Sequence, residues 1–312
     1  MVEILGDRSM LSARASSSHR DRVYVIVVPS GAKAGYISAV ILHVLSWFGI
    51  RAEKFKLAVG TSAGSINLLA FCAGQQEITP DVYLHLADKP WVFPTWGEGG
   101  WLTFHHYLMG ILRGEVFSEF RLDIDTFKQN PTRLLLAVSD LYGQISYHDA
   151  KEVEDVFELV HACSAILPFA FGRTINGKMA IDGAYSHSHC EFARVVRTLM
   201  RQHPESEICV LFVSNRPRIE HQHWLEYLAY RGGMFASLWW SPWLLASALR
   251  LEIKVAKSER TFHKPVRRRI RICAIYPTKE EEVVPHEWRP DVMVAKGKQI
   301  TESLCRKIDA VA

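Results

Sequence analysis

The residues best placed to do chemistry are in a pentad, Gly60-Thr61-Ser62-Ala63-Gly64, set between the apolar run Leu57 to Val59 and an apolar-rich segment of helical character. A serine at the apex of a strand-to-helix turn, with glycine two before and two after it, has the pattern of a nucleophile elbow. The glycines omit the Cβ atoms that would clash in so tight a turn. Such a turn lifts the serine hydroxyl into an exposed position. The start of the following helix offers free backbone N–H groups and a positive dipole end where an oxyanion would form. A Gly/Ser-rich turn also occurs wherever two elements pack closely, so the pentad alone leaves both readings open.

A serine hydroxyl needs a base, and histidine is the usual one. The chain has 14 histidines. Another candidate is the carboxylate in "KMAIDGAYSHSH", where Asp182 ends a short apolar strand and Gly183 and Ala184 follow, small enough for a backbone or a substrate to approach. An Asp-Gly dipeptide also serves as an ordinary turn. His187 and His189 alternate just beyond, as ligands on one strand face do, but no third ligand stands at suitable spacing, so they read as ordinary polar residues and no metal is expected.

The elements that must hold these groups follow a strand–helix rhythm. "VYVIVV" (23 to 28) is a β-branched run suited to a strand buried on both faces. The turn "PSGAKAG" leads to a helical pattern over 36 to 49 that stops at Gly49, then to a strand at 55 to 59 and a helix at 65 to 74 closed by Gly74. Further strands are predicted at 133 to 140, 179 to 182, 208 to 214 and 269 to 276. This order predicts an α/β fold, a three-layer αβα sandwich around a central, mainly parallel sheet.

In that setting the motifs, taken in order, resemble the patatin-like phospholipase family, whose members use a Ser/Asp dyad without histidine. The resemblance rests on Gly60 to Gly64 with Asp182-Gly183-Ala184. "VVPSGAKAGYISAVILHVL" resembles the family's oxyanion loop and first helix, "LLLAVSDLYGQISYHD" its strand before a turn, and "ACSAILPFAF" the segment upstream of its aspartate. It covers residues 23 to 190; residues 200 to 312 match loosely. It implies a serine acyl hydrolase of lipid esters, of the phospholipase A, lysophospholipase or lipid esterase type. Ser62 would be the nucleophile, Asp182 the base, and backbone groups of Ser30, Gly31, Ala32 and Ala63 the oxyanion donors, without a cofactor.

One departure stands out. Where the family's loop carries three successive glycines followed by x-Arg-Gly, this chain reads Pro29-Ser30-Gly31-Ala32-Lys33-Ala34. Proline has no N–H to donate, and Lys33 keeps a positive charge without the planar fork of arginine. Two alternatives therefore stay open: a catalytically silent lipid-binding or scaffold protein of the same fold, and an esterase with a Ser/Asp/His triad.

Composition sets the wider limits. With 312 residues, 48% hydrophobic and 22% charged, the chain has enough apolar content for a large core, and a net charge of +4 is too mild to imply nucleic acid as a partner. Six scattered cysteines without a C-x-x-C pair read as reduced thiols in a cytoplasmic protein. The first 22 residues lack the apolar core of a secretory signal and read as a mobile tail, leaving residues 23–312 as one α/β domain. "MFASLWWSPWLLASALR" (234 to 250) is apolar all round and precedes a basic run from Lys254 to Arg271. Tryptophans beside Lys/Arg suit an anionic lipid surface, so 230–272 is the expected membrane-facing segment and the protein is expected to be cytoplasmic or peripheral at a membrane. Three tryptophans between 89 and 101 read either as a cap over the site or as a packed loop.

Overall fold

The computed structural model describes residues 3–5, 21–31, 34–87, 108–142, 144–165, 172–185, 188–217, 270–283 and 289–309. Its centre is a nine-stranded sheet in the order β1-β9-β8-β2-β3-β4-β7-β6, with β5 paired to β4. The strands are β1 (Glu3–Leu5), β2 (Arg22–Val28), β3 (Leu57–Gly60), β4 (Arg133–Ser139), β5 (Ile145–Asp149), β6 (Arg173–Ile175), β7 (Lys178–Asp182), β8 (Glu207–Val213) and β9 (Ile270–Tyr276). From β9 through β8, β2 and β3 to β4 every pairing is parallel; the outer pairings are antiparallel.

The period-two alternation of the strands divides the core into two layers. Ile26, Val28, Ala58, Leu136, Leu211 and Ile275 face one side, where they pack with helices α1 (Gly35–Trp47), α2 (Ala63–Cys72), α3 (Ile78–Ala87), α5 (Val156–Ser164) and α7 (Pro290–Asp309). Val25, Val27, Val59, Val210 and Phe212 face the other, against Val196, Leu199 and Met200 of α6 (Ser188–Gln202). The short α4 (Ile124–Gln129) leads into β4, with Asp123 accepting from the Thr126 N–H at its N-terminus. This is the expected αβα sandwich. Every residue of α2 is buried, as its apolar composition requires of a helix wedged between the sheet and α1.

The five parallel strands and two helices read from apolar runs stand within a few residues of their expected bounds. One difference lies at the N-terminus: Glu3–Leu5, inside the stretch read as a mobile tail, pairs antiparallel with Ala274 to Tyr276. A three-residue strand has no local signal, and it forms here because β9 would otherwise be an open edge. Among the described residues, five cysteines are free thiols, four of them buried. Among the described residues, no helix is long and apolar enough to cross a membrane.

Candidate active site

The sheet register brings Ser62 and Asp182 to one place. β5 occupies one edge of β4 from Leu135 to Ser139, so β3 and β7 must share the other. β3 pairs along it as far as Gly60 opposite Leu136, then leaves the sheet. Two residues on, Val138 pairs with Asp182. The carboxylate therefore takes the edge position that a longer β3 would have given to residue 62.

The elbow itself is strained. Ser62 has φ 54° and ψ −125°, outside the regions that side-chain-bearing residues favour. The flanking glycines allow it: a Cβ on Gly64 would stand 2.1 Å from the Val28 carbonyl oxygen, and one on Gly60 would stand 2.9 Å from the Gly64 carbonyl oxygen. The elbow is thus pressed directly against the end of β2. The exposed position expected for the serine is not found, since Ser62 is only 4% exposed. The close approach of the β2 loop and of buried Asp182 accounts for that.

Asp182 is fully buried. Its Oδ1 accepts from the Ala184 N–H at 2.8 Å, and its own N–H donates to the Ala165 carbonyl at 3.1 Å. Its Oδ2 has no hydrogen-bond partner; the Ser62 hydroxyl is near enough to favour the charged carboxylate, but not in the geometry of a completed bond. Burial pushes the carboxyl up to about 7, with the Ala184 amide and the Ser62 hydroxyl pulling the other way. No histidine is among the groups that set this proton affinity, among the described residues. Gly183 is held to glycine by the Ala137 carbonyl, 2.5 Å from where its Cβ would be. The buried Cys163 thiol is pushed up mainly by burial, with the negative charge of Asp182 adding to the shift, so it lies close to the carboxylate.

Backbone donors line the same end of the sheet. Ala63 opens α2, so its N–H has no acceptor within the helix. The Ser30 and Gly31 amides also donate to nothing among the described residues. Ala32 and Lys33 lie outside the described residues, as do His187, the tryptophan segment 89–101 and the apolar and basic stretch from 234 to 269. Among the described residues no group of three or more His, Cys, Asp or Glu is placed to hold a metal ion. A cavity of about 500 Å³ opens between β3, β4, β5 and α6, but Lys56, Leu57 and Arg133 line it at the starting ends of the strands, and no candidate site residue does.

Sequence reasoning missed Asn215. It lies two residues past β8, fully buried, and donates to the Pro29 carbonyl at 2.8 Å. A polar Ser-Asn pair ending an apolar parallel strand was the available signal, since ligands gather at the carboxyl ends of such strands.

A mainly parallel sheet with a strained serine between β3 and α2 defines an α/β protein of the nucleophile-elbow type. The chain belongs to the patatin-like phospholipase family, whose model matches residues 27–189, more than half of its length. That family is one of lipid hydrolases. No curated protein sequence matches this chain. Among solved structures it is similar to VipD from Legionella pneumophila, at 10% identity and a TM-score of 0.38 over 97% of this chain and 70% of that one. It is also similar to full-length ExoU in complex with SpcU, from the type III secretion system of Pseudomonas aeruginosa, at 11% identity and a TM-score of 0.31 over 93% of this chain. The match covers 61% of that second chain, less than two thirds of its length.

Proposed function

We propose that this protein is a serine acyl hydrolase that cleaves acyl esters of lipids through Ser62 and Asp182. The observation that carries the reading is the strained Ser62 elbow beside a fully buried carboxyl with raised proton affinity. A carboxylate is a weak base in water; raised to about 7, it can take the hydroxyl proton at neutral pH.

In the first half-reaction the Ser62 Oγ attacks the ester carbonyl and its proton passes to the free Asp182 Oδ2. Negative charge develops on the carbonyl oxygen, where the N–H groups of Ser30, Gly31 and Ala63 receive it, each good donor supplying about 3 kcal/mol. Collapse of the tetrahedral intermediate breaks the bond to the alcohol, which leaves with the proton from Asp182. Water then repeats the cycle on the acyl-enzyme: Asp182 takes a proton from water, the hydroxide adds to the acyl carbon, and Ser62 leaves reprotonated. Phospholipase A, lysophospholipase or lipid esterase chemistry all follow this course, at a lipid surface or on dispersed substrate.

Pro29 favours a second reading, a lipid-binding protein of the same fold without turnover, because one loop donor is lost. Labelling by a fluorophosphonate probe separates the two. The hydrolase labels at Ser62, and neither Ser62→Ala nor Asp182→Asn turns over p-nitrophenyl butyrate while both still melt cooperatively. A wild-type chain that neither labels nor hydrolyses is the binding protein. A histidine variant that abolishes turnover while Asp182→Asn does not would replace the dyad by a triad.

A further inference from the structure

An oxyanion site needs its backbone N–H groups held in one direction, and Pro29, Ser30 and Gly31 follow β2 without a ladder to hold them. A side chain from another strand does so. β8 flanks β2 on the side away from β3, and Asn215 reaches from just beyond its end. The Asn215 Nδ2 donates to the Pro29 carbonyl at 2.8 Å and to the Ser30 carbonyl at 3.4 Å. Its Oδ1 accepts from the Ser38 N–H at 3.2 Å in the first turn of α1. Behind it, the Asn67 Nδ2 of α2 donates to the Gly35 carbonyl at 2.8 Å and to the Ser38 Oγ at 2.7 Å. Asn67, Ser38 and Asn215 are all fully buried.

A planar trans peptide sets each carbonyl and the next N–H on opposite sides. Gripping the Pro29 carbonyl therefore fixes the direction of the Ser30 N–H, and gripping the Ser30 carbonyl fixes that of the Gly31 N–H. Both amides are left unused by the described residues. Gly31 completes the fit, because a Cβ there would stand 2.7 Å from the Asn215 Nδ2. Pro29 contributes its carbonyl to this arrangement, so its missing N–H costs the clamp nothing.

We propose that Asn215 is the positioning residue of the oxyanion site, aiming the Ser30 and Gly31 amides at the charge that develops in acyl transfer. The inference rests on the hydrolase reading above. Asn215 touches no reacting atom; it acts through the loop. Asn215→Asp keeps the shape and the acceptor for Ser38 but removes the donor, and Asn215→Ala removes both.

The test measures p-nitrophenyl butyrate hydrolysis, fluorophosphonate labelling at Ser62 and thermal melting for the full chain. Both Asn215 variants should lose on the order of a hundredfold in kcat with KM within about threefold, and the labelling rate should fall in parallel. Gly31→Ala, which drives a methyl group into Asn215, should show the same split. Combining it with Asn215→Ala should cost no more than the worse single change, because both disable one clamp. A scaffold role alone would instead lower the melting temperature, move KM with kcat and give losses that multiply, and that pattern would overturn the proposal. So would wild-type kcat in cooperatively melting Asn215 variants or, if those fail to fold, in Gly31→Ala alone. Absence of Ser62 labelling in the wild-type chain overturns the hydrolase reading and this inference with it. A wild-type chain that labels beside variants that label equally fast overturns the inference only.

Discussion

At the scale of single residues, the burial that suits Asp182 to the proposed role of base also makes it a liability. Proton abstraction needs the carboxylate, so kcat/KM should fall about tenfold per pH unit below about 7 and level off above it. Stability runs the opposite way. Between the ordinary carboxylate value of 3.8 and about 7, the folded chain keeps a proton that the unfolded chain has released, so this group lowers stability as pH rises through that window and no further above it. At about 1.4 kcal/mol per unit the cost above pH 7 is on the order of 4 kcal/mol. Asp182→Asn should remove it. Urea unfolding at pH 5 and pH 8 checks this: the wild type should lose stability relative to the variant on going to pH 8, and an equal change in both would show that the carboxyl is not perturbed. The residue that most favours activity is thus expected to be one whose removal stabilises the fold. Ser62 was legible in the sequence because its strain demands glycine at 60 and 64, and Asp182 because a short apolar strand stops at it. Asn215 was not, because its role depends on β8 lying beside β2, a relation between residues 186 apart in the chain.

Among the elements, α5 links the surface to the site. Asp155 precedes it and its Oδ1 accepts from the Phe157 N–H at 2.8 Å and the Glu158 N–H at 3.4 Å, while its Oδ2 pairs with Arg113 at 2.7 Å. The helix ends at Ala165, whose carbonyl accepts the Asp182 N–H. Asp155→Ala should therefore cost about 1–2 kcal/mol through the lost cap and lower the melting temperature by several degrees. Arg113→Ala, which removes partly exposed ion pairs to Asp155 and Glu158 and a cation–π contact with Phe157, should cost about 1 kcal/mol or less. Thermal melts of the two variants rank the terms, and an equal loss in both would mean that the ion pair, not the cap, holds the helix. The same elements show where sequence reading works. β2, β3, β4 and β8 were visible because parallel strands covered on both faces are near-continuous apolar runs, and β9 because its buried half, Cys273 to Tyr276, is one. β5 ("ISYHD") and β6 ("RTI") were not, because an antiparallel edge needs only a partner, while α5 and α6 did carry signals that a reading of apolar runs passes over: Asp155 with Glu158 three residues on, and Val195, Val196, Leu199 and Met200 at helical spacing.

For the molecule as a whole, the topology gives the basic, tryptophan-rich stretch a defined starting point. β8 and β9 are parallel neighbours, so the chain between them must leave from the carboxyl end of β8 and return to the opposite end of the sheet. The described chain passes Asn215, beside the loop proposed to hold the oxyanion, and the apolar run from 234 and the arginines at 267 to 269 fall between β8 and β9 in sequence, outside the described residues. The composition of this stretch carries the expectation of a lipid surface, and that expectation can be tested. If its charges meet anionic headgroups, binding to phosphatidylglycerol vesicles should weaken with added salt, because exposed charges are screened over about 8 Å at physiological ionic strength. Replacing Arg267, Arg268 and Arg269 by Gln should weaken it likewise and slow hydrolysis of vesicle lipid, while hydrolysis of dissolved p-nitrophenyl butyrate stays unchanged. A loss on both substrates would place the arginines in the catalytic domain's stability instead. Binding indifferent to both salt and the substitutions would remove the electrostatic surface from the account, leaving the tryptophans to meet the lipid by apolar contact alone.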